Sequence, residues 1–354
     1  MDLELSDEQT WLSESIETLL ARGSQRADLW ASLVDFGALT VGGEEGLGAV
    51  ELCLIARALG AHLAPVPYLG SAALRFAIQP LAAEAHAGFS SLAGGDDAVA
   101  LALLEPGSGW ALEAPRTTID REVLNGRKTG VEHARDVERL AVVASGAQGA
   151  ALALVAPDAL GVDLSPQPAF DPTAPLDVVD FAGVALADAD VAEGPAANDA
   201  IERLTAVGAL LAAAEAVGAA GRLLDDACSY AGDRRQFGRT IGSFQALRHL
   251  MADMYVRHAS AWSSVLYAAA TLDEDTEAGR RTASIAKAYV SRATREVAHG
   301  AMQVFGGIAV TAEHPAHRFL RRIVVRDQQF GDAAHHERAL GRALAAAAIP
   351  QSVT

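Results

Sequence analysis

Hydrophobic and polar positions divide the sequence into three stretches. From Ser6 to about Ala83 the apolar residues recur at helical spacing, and Ser6 stands three residues before Gln9 in a capping-box arrangement that predicts the first helix start. A second helix is expected over 51–59, because Gly60 and two prolines follow it. The first stretch therefore predicts a bundle of helices.

The middle stretch, from about Gly94 to Asp188, contains short β-prone runs separated by turn formers such as Asn125-Gly126. The predicted strands are Val99–Leu104, Leu140–Ser145, Ala150–Val155 and Val178–Leu186. The segments between them are too short for crossover helices, so we expect an antiparallel barrel or sandwich.

Helical spacing returns from about Asn198. The predicted helices are Ala209–Asp233, Thr240–Ala270 and Thr276–Phe305. In the last helix every fourth residue is apolar, at Ile285, Tyr289, Ala293, Val297, Ala301 and Phe305. The fold class expected is α+β: an N-terminal helical domain at 1–93, a middle β-domain at 94–197 and a C-terminal four-helix bundle at 198–354.

Composition narrows the function classes. The 354 residues are 51% hydrophobic and 21% charged, which is a globular balance, and the formal net charge of −17 argues against binding to nucleic acids or anionic membranes. The cysteines Cys53 and Cys228 are far apart and are expected to be reduced and buried. The acidic N-terminus and the Glu215 that interrupts the apolar run 204–220 predict a soluble, cytoplasmic protein without a membrane insertion.

Two segments carry a family resemblance. The first, 233–249, contains Arg-x-x-Phe-Gly followed by a glutamine, and the second, 301–315, contains Gln-x-x-Gly-Gly. Together they resemble the flavin-dependent acyl-CoA dehydrogenase family, and the expected order of helices, strands and helices is also that of the family. The resemblance covers nearly the whole chain.

The resemblance implies an FAD held between subunits of a homo- or hetero-oligomer. Its contacts would be Arg234, Phe237, Gln245, Gln303, Gly306 and Gly307, with Ser108 and Thr129 from the β-domain. The donor fork of an arginine suits a pyrophosphate, which supports this role for Arg234. The alternative is that Arg234 and Gln245 are ordinary helix-surface residues. The resemblance also implies an acyl-CoA substrate and an electron-transfer flavoprotein, or a similar acceptor, as partner.

The sequence departs from the family at the catalytic base. The reaction needs a carboxylate to remove the Cα proton of the thioester. The position at which many relatives have this glutamate falls on Phe330, and the position that others use falls on Gly208. Glu215, two helical turns beyond Gly208, and Asp332, two residues past Phe330, are the candidate replacements. The alternatives are an ion pair for Glu215 with a neighbouring arginine and a helix N-cap role for Asp332.

Two further groups of side chains, one of arginines and one of histidines, are candidates for ligand binding. Four arginines lie near the C-terminal end, and they suit either phosphate binding or an ion-pairing face: Arg318, Arg321, Arg322 and Arg326. Two histidine pairs lack supporting cysteines or regularly spaced carboxylates, so we predict no metal site: His314 with His317, and His335 with His336.

Three functional hypotheses follow. The first is an FAD-dependent dehydrogenase that introduces an α,β double bond into an acyl-CoA, because the short chain without the usual glutamates resembles subunits of heteromeric actinobacterial-type enzymes acting on steroid side-chain thioesters. The second is a non-catalytic partner subunit that completes the flavin site of such an enzyme. The third is an acyl-CoA oxidase.

Overall fold

The computed structural model describes residues 4–22, 26–42, 46–83, 87–110, 112 and 114–348. These residues form two compact units. The helical unit comprises the described residues within 1–10, 56–63 and 209–354, and the sheet unit comprises those within 11–55 and 64–208. The division at 93 and 197 expected from the sequence stays a prediction.

Helices occupy both ends of the described chain. They are α1 Asp7–Ala21, α2 Arg26–Asp35, α3 Ala49–Ala61, α4 Tyr68–Ala77, α5 Gln79–Ala83, α6 Ala87–Gly94, α7 Pro195–Asp233, α8 Gln245–Glu274, α9 Thr276–Phe305, α10 Ala316–Gln328 and α11 Ala333–Ala348. The strands are β1 Val99–Ala102, β2 Thr118–Asp120, β3 Val123–Glu132, β4 Arg139–Gly146, β5 Gly149–Val155, β6 Val162–Gln167, β7 Leu176–Ala185, β8 Val191–Glu193, β9 Arg235–Gln236 and β10 Arg239–Thr240.

The predicted start of the first helix is confirmed. The Gln9 backbone N–H donates to the Ser6 hydroxyl at 3.2 Å, and the Ser6 N–H donates to the Gln9 side-chain carbonyl at 3.1 Å. This reciprocal pair satisfies two backbone donors that the helix itself leaves free.

The sheet is mixed rather than purely antiparallel. Its order is β6-β7-β3-β2-β4-β5-β8, and β1 and β2 both pair with β4 in parallel. β1 ends opposite Val142 and β2 begins opposite Ser145, so the two form one interrupted strand along β4. The chain leaves the sheet after β1 and returns at β2, so the excursion between them interrupts a strand position that lies between β3 and β4 in the interior of the sheet. Pattern alone could not predict this return, because an apolar run does not specify its partner strand.

The C-terminal helices correct two predicted boundaries and confirm a third element. α7 begins at Pro195, fourteen residues before the predicted start, because proline is tolerated in the first helical turn. α8 begins only at Gln245, since a hairpin and a short 3₁₀ turn precede it. α9 runs from Thr276 to Phe305 as predicted.

The apolar repeat of α9 does not form one buried stripe. Ala293, Val297 and Phe305 are buried, whereas Ile285 and Tyr289 are 51% and 42% exposed. An α-helix turns once in 3.6 residues, so a repeat of exactly four drifts by about 40° at each step and winds around the helix.

Helix α7 is the one described helix long and apolar enough to cross a membrane by length and composition, and 83% of its most apolar window is buried within the protein. It is a core helix of small residues. A Cβ on Gly218 would lie 1.8 Å from the Arg57 carbonyl oxygen, so glycine lets α3 and α7 approach closely. Cys53 is buried as expected, but Cys228 on α7 is exposed, contrary to the expectation.

Candidate functional site

One end of the helical unit brings the two motif segments together. The ring of Tyr230, one turn before Arg234, packs edge-on against the ring of Phe305 with 5.4 Å between centroids. Phe305 is the last residue of α9 and directly precedes Gly306. The Arg-x-x-Phe-Gly and Gln-x-x-Gly-Gly segments are therefore neighbours in space although some 70 residues separate them along the chain.

The start of α8 lies at the same end, because α8 and α9 are antiparallel. Arg257 of α8 is ion-paired with Glu296 of α9 at 3.2 Å. Farther along α8 the backbone of Leu272 lies against Gly279, close to the start of α9. Residues farther along α8 thus contact residues nearer the start of α9, so the two helices run antiparallel. Gln245, the first residue of α8, therefore lies near the end of α9.

Three polar side chains at this end have no side-chain partner among the described residues. Arg234, Gln245 and Gln303 are exposed, and within the part of the chain that the structure describes none of these side chains forms a hydrogen bond or ion pair. Phe237 is 91% exposed, and its ring contacts Phe244 edge-on at 6.1 Å between centroids.

Two turns shape this end. Phe237 and Gly238 form the β9–β10 turn with φ of +53° and +79°, the left-handed pair typical of a two-residue hairpin. Gly306 has φ +69° and ψ −148°, a conformation essentially limited to glycine. A Cβ on Gly306 or Gly307 would have no atom within 4 Å, so the backbone there is open to an approaching group.

Glu215 lies elsewhere in the helical unit, roughly 28 Å from Arg234 along α7 at 1.5 Å per residue. Its carboxylate accepts hydrogen bonds from Arg326 Nε at 2.8 Å and Nη2 at 3.3 Å, and from Arg322. The exposed fractions of Glu215, Arg322 and Arg326 are 5%, 1% and 2%. The ion-pair alternative for Glu215 is therefore present, and two of the four clustered arginines serve it.

Asp332 caps a helix. Its Oδ1 accepts a hydrogen bond from the His335 backbone N–H at 2.7 Å, at the start of α11. The preceding residues Phe330 and Gly331 have φ of +59° and +98°, and the Phe330 side chain is 1% exposed. The turn at which the family resemblance predicts a glutamate thus buries an apolar side chain and uses its nearby carboxylate as an N-cap.

His336 ties this turn to α9. Its Nε2 lies 3.0 Å from the Phe330 carbonyl oxygen and its Nδ1 3.2 Å from the Ser284 hydroxyl. A carbonyl only accepts, so Nε2 carries the hydrogen and Nδ1 accepts from Ser284. Burial lowers the pKa of His336 to about 4, with a smaller contribution from the nearby charge of Lys287. The ring is therefore neutral and fully bonded near pH 7.

Lys287 of α9 supports the end of α10. Its Nζ donates to the carbonyl oxygens of Arg326 at 2.6 Å and Asp327 at 2.8 Å, in the last turn of that helix. Burial lowers the pKa of Lys287 to about 7, although the negative charge of Asp332 opposes this shift. Last-turn carbonyls have no partner within their own helix, so this ammonium supplies the missing donor.

In the sheet unit, the excursion after β1 is held by a buried carboxylate. Glu105 accepts hydrogen bonds from the backbone N–H groups of Arg116 and Thr117 at 2.9 and 2.8 Å, and from Lys128 Nζ at 3.1 Å. Burial alone would raise the pKa of Glu105, but the hydrogen bonds from Thr117, Arg116 and Lys128 outweigh it and lower the pKa well below its usual value. Both ends of the excursion are thereby fixed to β3.

Ser108 and Thr129 lie beside this carboxylate. The Ser108 hydroxyl donates to the Glu105 carbonyl at 2.8 Å and accepts from the Glu105 N–H at 2.9 Å, while the Thr129 N–H donates to Leu104 at 2.9 Å. A cavity of about 220 Å³ lies against Glu105, Ser108 and Arg116. The structure thus brings the two sequence-predicted residues to the same segment, 104–108, that follows β1.

The helical unit matches a known sequence family. Residues 198–345 match the profile of the acyl-CoA dehydrogenase C-terminal domain. Over 336 residues the chain is 30% identical to acyl-CoA dehydrogenase FadE27 of Mycobacterium tuberculosis, an alignment that spans 90% of this chain and 88% of FadE27. The chain belongs to the acyl-CoA dehydrogenase family. The resemblance seen in the sequence is confirmed.

Solved structures of this family have the same fold. The ChsE4-ChsE5 complex from M. tuberculosis superposes with a TM-score of 0.84 and 28% identity over 98% of this chain and 99% of the matched chain. A structure titled Tcur3481-Tcur3483 steroid ACAD, G363A variant, superposes with a TM-score of 0.84 and 27% identity over 97% and 99%. The expected fold class, with its C-terminal helical bundle, is confirmed.

The motif residues of this family member fit an FAD. Arg234, Gln245 and Gln303 present polar groups that have no partner among the described residues, at one end of the helical unit. Gly306 and Gly307 leave the backbone beside them uncovered. A guanidinium, two amides and an open glycine turn are the groups that a pyrophosphate and its attached ribose need. Their assignment as FAD contacts remains a prediction.

Sequence reasoning missed the two buried lysines of this acyl-CoA dehydrogenase family member. Lys128 and Lys287 were not singled out, and neither was the buried Glu105 that Lys128 contacts. A signal existed: the chain has 28 lysines and arginines, and only these two are lysines. Among the described residues no group of three or more His, Cys, Asp or Glu side chains could hold a metal ion.

Proposed function

We propose that this chain is a flavin-binding partner subunit of a heteromeric acyl-CoA dehydrogenase and that it supplies no base for the reaction. The state of the carboxylate positions carries the proposal. Phe330 is buried where relatives have a glutamate, Gly208 has no side chain, and Glu215 is ion-paired with two buried arginines.

A carboxylate in the position of Glu215 is poorly placed to accept a substrate proton. Both of its oxygens accept hydrogen bonds from guanidinium groups. Protonating it during the reaction would leave Arg322 and Arg326 buried without a counter-charge, at a cost of several kcal/mol. The pairing supports a structural role for Glu215 in this subunit.

The proposed division of labour follows from the chemistry. Oxidation of an acyl thioester removes a proton from Cα and a hydride from Cβ, and FAD, when bound, supplies the acceptor for the hydride. In this proposal Arg234 holds the pyrophosphate, Gln245 and Gln303 orient the rest of the cofactor, and a carboxylate of the partner subunit takes the proton. An electron-transfer flavoprotein or a similar acceptor then takes the two electrons.

The proposed substrate is a bulky acyl-CoA such as a steroid side-chain thioester. Support comes from the solved relatives, one of which is described as the ChsE4-ChsE5 complex and the other as a steroid ACAD. An enzyme assembled from two different chains can give up one catalytic site while the second chain keeps its base.

The test is anaerobic flavin reduction with the purified chain alone and with the chain co-purified from its native host. We expect a partner protein to co-purify, FAD to be bound in that complex, and a steroid side-chain acyl-CoA to bleach the flavin absorbance only when the partner is present. If the chain alone binds FAD and is reduced by acyl-CoA, the proposal fails.

A second candidate is a dehydrogenase that is catalytic by itself. One observation favours it: Asp332 lies two residues past the lost glutamate position, and its side chain is partly exposed. In that case the chain alone would be reduced by acyl-CoA and Asp332→Asn would slow the reduction about 10²–10⁴-fold. The same measurement in air, followed by oxygen uptake, separates an oxidase from a dehydrogenase.

A further inference from the structure

In the sheet unit, the guanidinium of Arg116 lies beside a carboxylate that already has a counter-charge. Glu105 accepts a hydrogen bond from Lys128 Nζ at 3.1 Å, and both side chains of this pair are buried. Arg116 Nε also donates to Glu105, at 3.1 Å, but the Arg116 side chain is 68% exposed. Two cations therefore share one carboxylate, and the three side chains together carry one net positive charge.

The excess charge affects the buried member of the group. Burial lowers the pKa of Lys128, Glu105 opposes this shift, and the positive charge of Arg116 adds a smaller lowering. Two like charges at close range are unfavourable unless an anion offsets them. Since the formal net charge of the whole chain is −17, this local positive charge does not follow from the composition.

Most N–H groups of Arg116 are available to a ligand. A guanidinium carries five N–H donors. One on Nε donates to Glu105, and one on Nη2 donates to the Pro106 carbonyl. The other three, including both on Nη1, have no partner within the described part of the chain. The two contacts hold the guanidinium in one orientation, so its remaining donors are preorganised.

Arg116 lines two neighbouring cavities. One, of about 220 Å³, also lies against Gly107 and Ser108, and the other, of about 200 Å³, also lies against Arg127. The cation of Arg127 is neutralised, because its guanidinium donates twice to Asp180, at 2.5 and 2.7 Å. Each cavity is smaller than the roughly 300–1,000 Å³ of sites that enclose a whole small ligand, so either one suits a single group of a larger ligand.

The backbone beside the larger cavity leaves room for such a group. The Ser108 N–H donates to the Glu105 carbonyl at 2.9 Å and closes a turn with Pro106 and Gly107 at its centre. Gly107 has φ of +74°, and a Cβ built on it would have no atom within 4 Å. Exposed peptide groups in turns of this kind are favourable surroundings for an anion.

We propose that Arg116 binds a phosphate group of a nucleotide-containing ligand in the cavity beside Gly107 and Ser108. The free edge of a guanidinium forms two parallel hydrogen bonds with phosphate oxygens. The inference rests on the proposed function, which supplies two ligands that carry phosphates, acyl-CoA and FAD. It adds a phosphate contact in the sheet unit to those that the family motifs imply in the helical unit.

The test compares Arg116→Gln with Arg139→Gln in the complex of this chain with its partner. Glutamine removes the charge, while the backbone N–H of residue 116 that donates to Glu105 remains. Arg139 of β4 is the matched control, because it is a 42% exposed cation of the same unit and pairs with Asp97 at 3.6 Å. Calorimetry measures the dissociation constants of coenzyme A and pantetheine with the flavin-loaded complex, and those of FAD and riboflavin with the flavin-free complex.

We expect Arg116→Gln to raise the dissociation constant of coenzyme A or of FAD about tenfold or more, and the affected nucleotide identifies the source of the phosphate. Pantetheine and riboflavin, which lack phosphate, should bind the variant as they bind the wild type, and the control should change none of the four constants. Wild-type affinity of Arg116→Gln for both nucleotides would overturn the inference and leave the proposed function intact. Equal losses for ligands with and without phosphate would also overturn it, since they indicate a structural role. A wild-type complex that binds neither nucleotide overturns the proposed function and the inference together.

A measurement on the wild type keeps the inference testable if Arg116→Gln does not fold. Phenylglyoxal modifies exposed guanidinium groups, and mass spectrometry locates the modified residues. Coenzyme A or FAD should protect Arg116 and leave Arg139 reactive, whereas pantetheine and riboflavin should protect neither. Equal modification of Arg116 with and without each nucleotide would contradict the proposed phosphate contact.

Discussion

At the scale of single residues, the structure separates two kinds of carboxylate that the sequence could not distinguish. Glu215 is buried between Arg322 and Arg326, whereas Asp332 caps α11 from a partly exposed position. The apolar surroundings of Glu215 suggest a functional group when they are read along the chain. In the fold, two arginines more than 100 residues away along the chain donate hydrogen bonds to Glu215, and this ion pair explains its burial.

Replacing these two carboxylates by amides should change stability by very different amounts. Glu215→Gln leaves two buried guanidinium groups without a counter-charge, and we expect it to lower the free energy of unfolding by about 3–5 kcal/mol. Asp332→Asn keeps a good N-cap, so its effect should stay below about 0.5 kcal/mol. Urea unfolding of both variants measures the difference. A stable Glu215→Gln protein would contradict the structural role of this ion pair.

The buried ammonium of Lys287 should make stability depend on pH. The pKa of Lys287 in the folded protein is about 7, below its ordinary value. At a pH between these two pKa values, the unfolded chain holds a proton that the folded chain lacks. Raising the pH through this window therefore favours folding. We expect the free energy of unfolding of the wild type to rise relative to that of Lys287→Met by up to about 1.4 kcal/mol per pH unit above pH 7.

Chemical denaturation at several pH values between 7 and 9 measures this difference. Arg257→Met is the control, because it removes a partly exposed cation and should leave the slope of the wild type unchanged. Parallel pH curves for the wild type and Lys287→Met would show that the lysine does not titrate in this range.

At the scale of secondary structure elements, the type of element follows from local pattern and its limits follow from backbone geometry. α9 matches its predicted span because Asp275 caps its start, accepting from the N–H groups of Glu277 and Ala278, and Gly306 ends it with a positive φ. α8 starts later than predicted because Phe237 and Gly238 make a hairpin within a sequence that has helical composition.

A side chain at Gly306, the glycine that ends α9, should destabilise the protein because of the backbone conformation and not because of a steric clash. Gly306→Ala would force alanine into a backbone region that only glycine adopts readily, and we expect a loss of about 1–3 kcal/mol in the free energy of unfolding although open space surrounds the new methyl group. Gly232→Ala is the matched control, because Gly232 is helical with no atom within 4 Å of its Cβ position, and it should stabilise by about 0.4–1 kcal/mol. Thermal unfolding measures both, and equal effects would contradict the argument.

At the scale of the whole molecule, the residues implied by the family resemblance lie on surfaces that the single chain leaves uncovered. Phe237 is 91% exposed, and Arg234, Gln245 and Gln303 have no side-chain partner among the described residues. On α8 and α9 the large apolar side chains of Tyr267, Ile285 and Tyr289 are also 42–51% exposed. We expect a second chain to cover these surfaces in an assembly.

Removing the exposed polar groups should affect the cofactor and not the fold. Arg234→Ala combined with Gln245→Ala should lower the FAD content of the purified complex while its melting temperature without flavin stays unchanged, because neither side chain has a partner within the described part of the chain. Arg222→Ala, on α7 twelve residues before Arg234, is the control. Unchanged flavin content in the double variant would contradict the interface assignment.

Assembly itself is open to direct measurement. We expect size-exclusion chromatography with light scattering to report a dimer or a higher oligomer, alone or with the partner subunit, since a flavin shared between chains needs a second surface. A monomer that retains FAD would contradict this expectation.

The sequence by itself determined the order of helices, strands and helices, the first helix cap, the span of α9 and the two motif segments, because spacing, caps and glycines act over a few residues. Only the tertiary structure decided which strand β1 and β2 join, that Glu215 meets Arg322 and Arg326, and that Lys128 and Lys287 hold two turns from within. A hydrophobic pattern specifies which face of an element is buried and leaves open what that face meets. The partners of a buried charge lie tens to hundreds of residues away, and only packing brings them within hydrogen-bond distance.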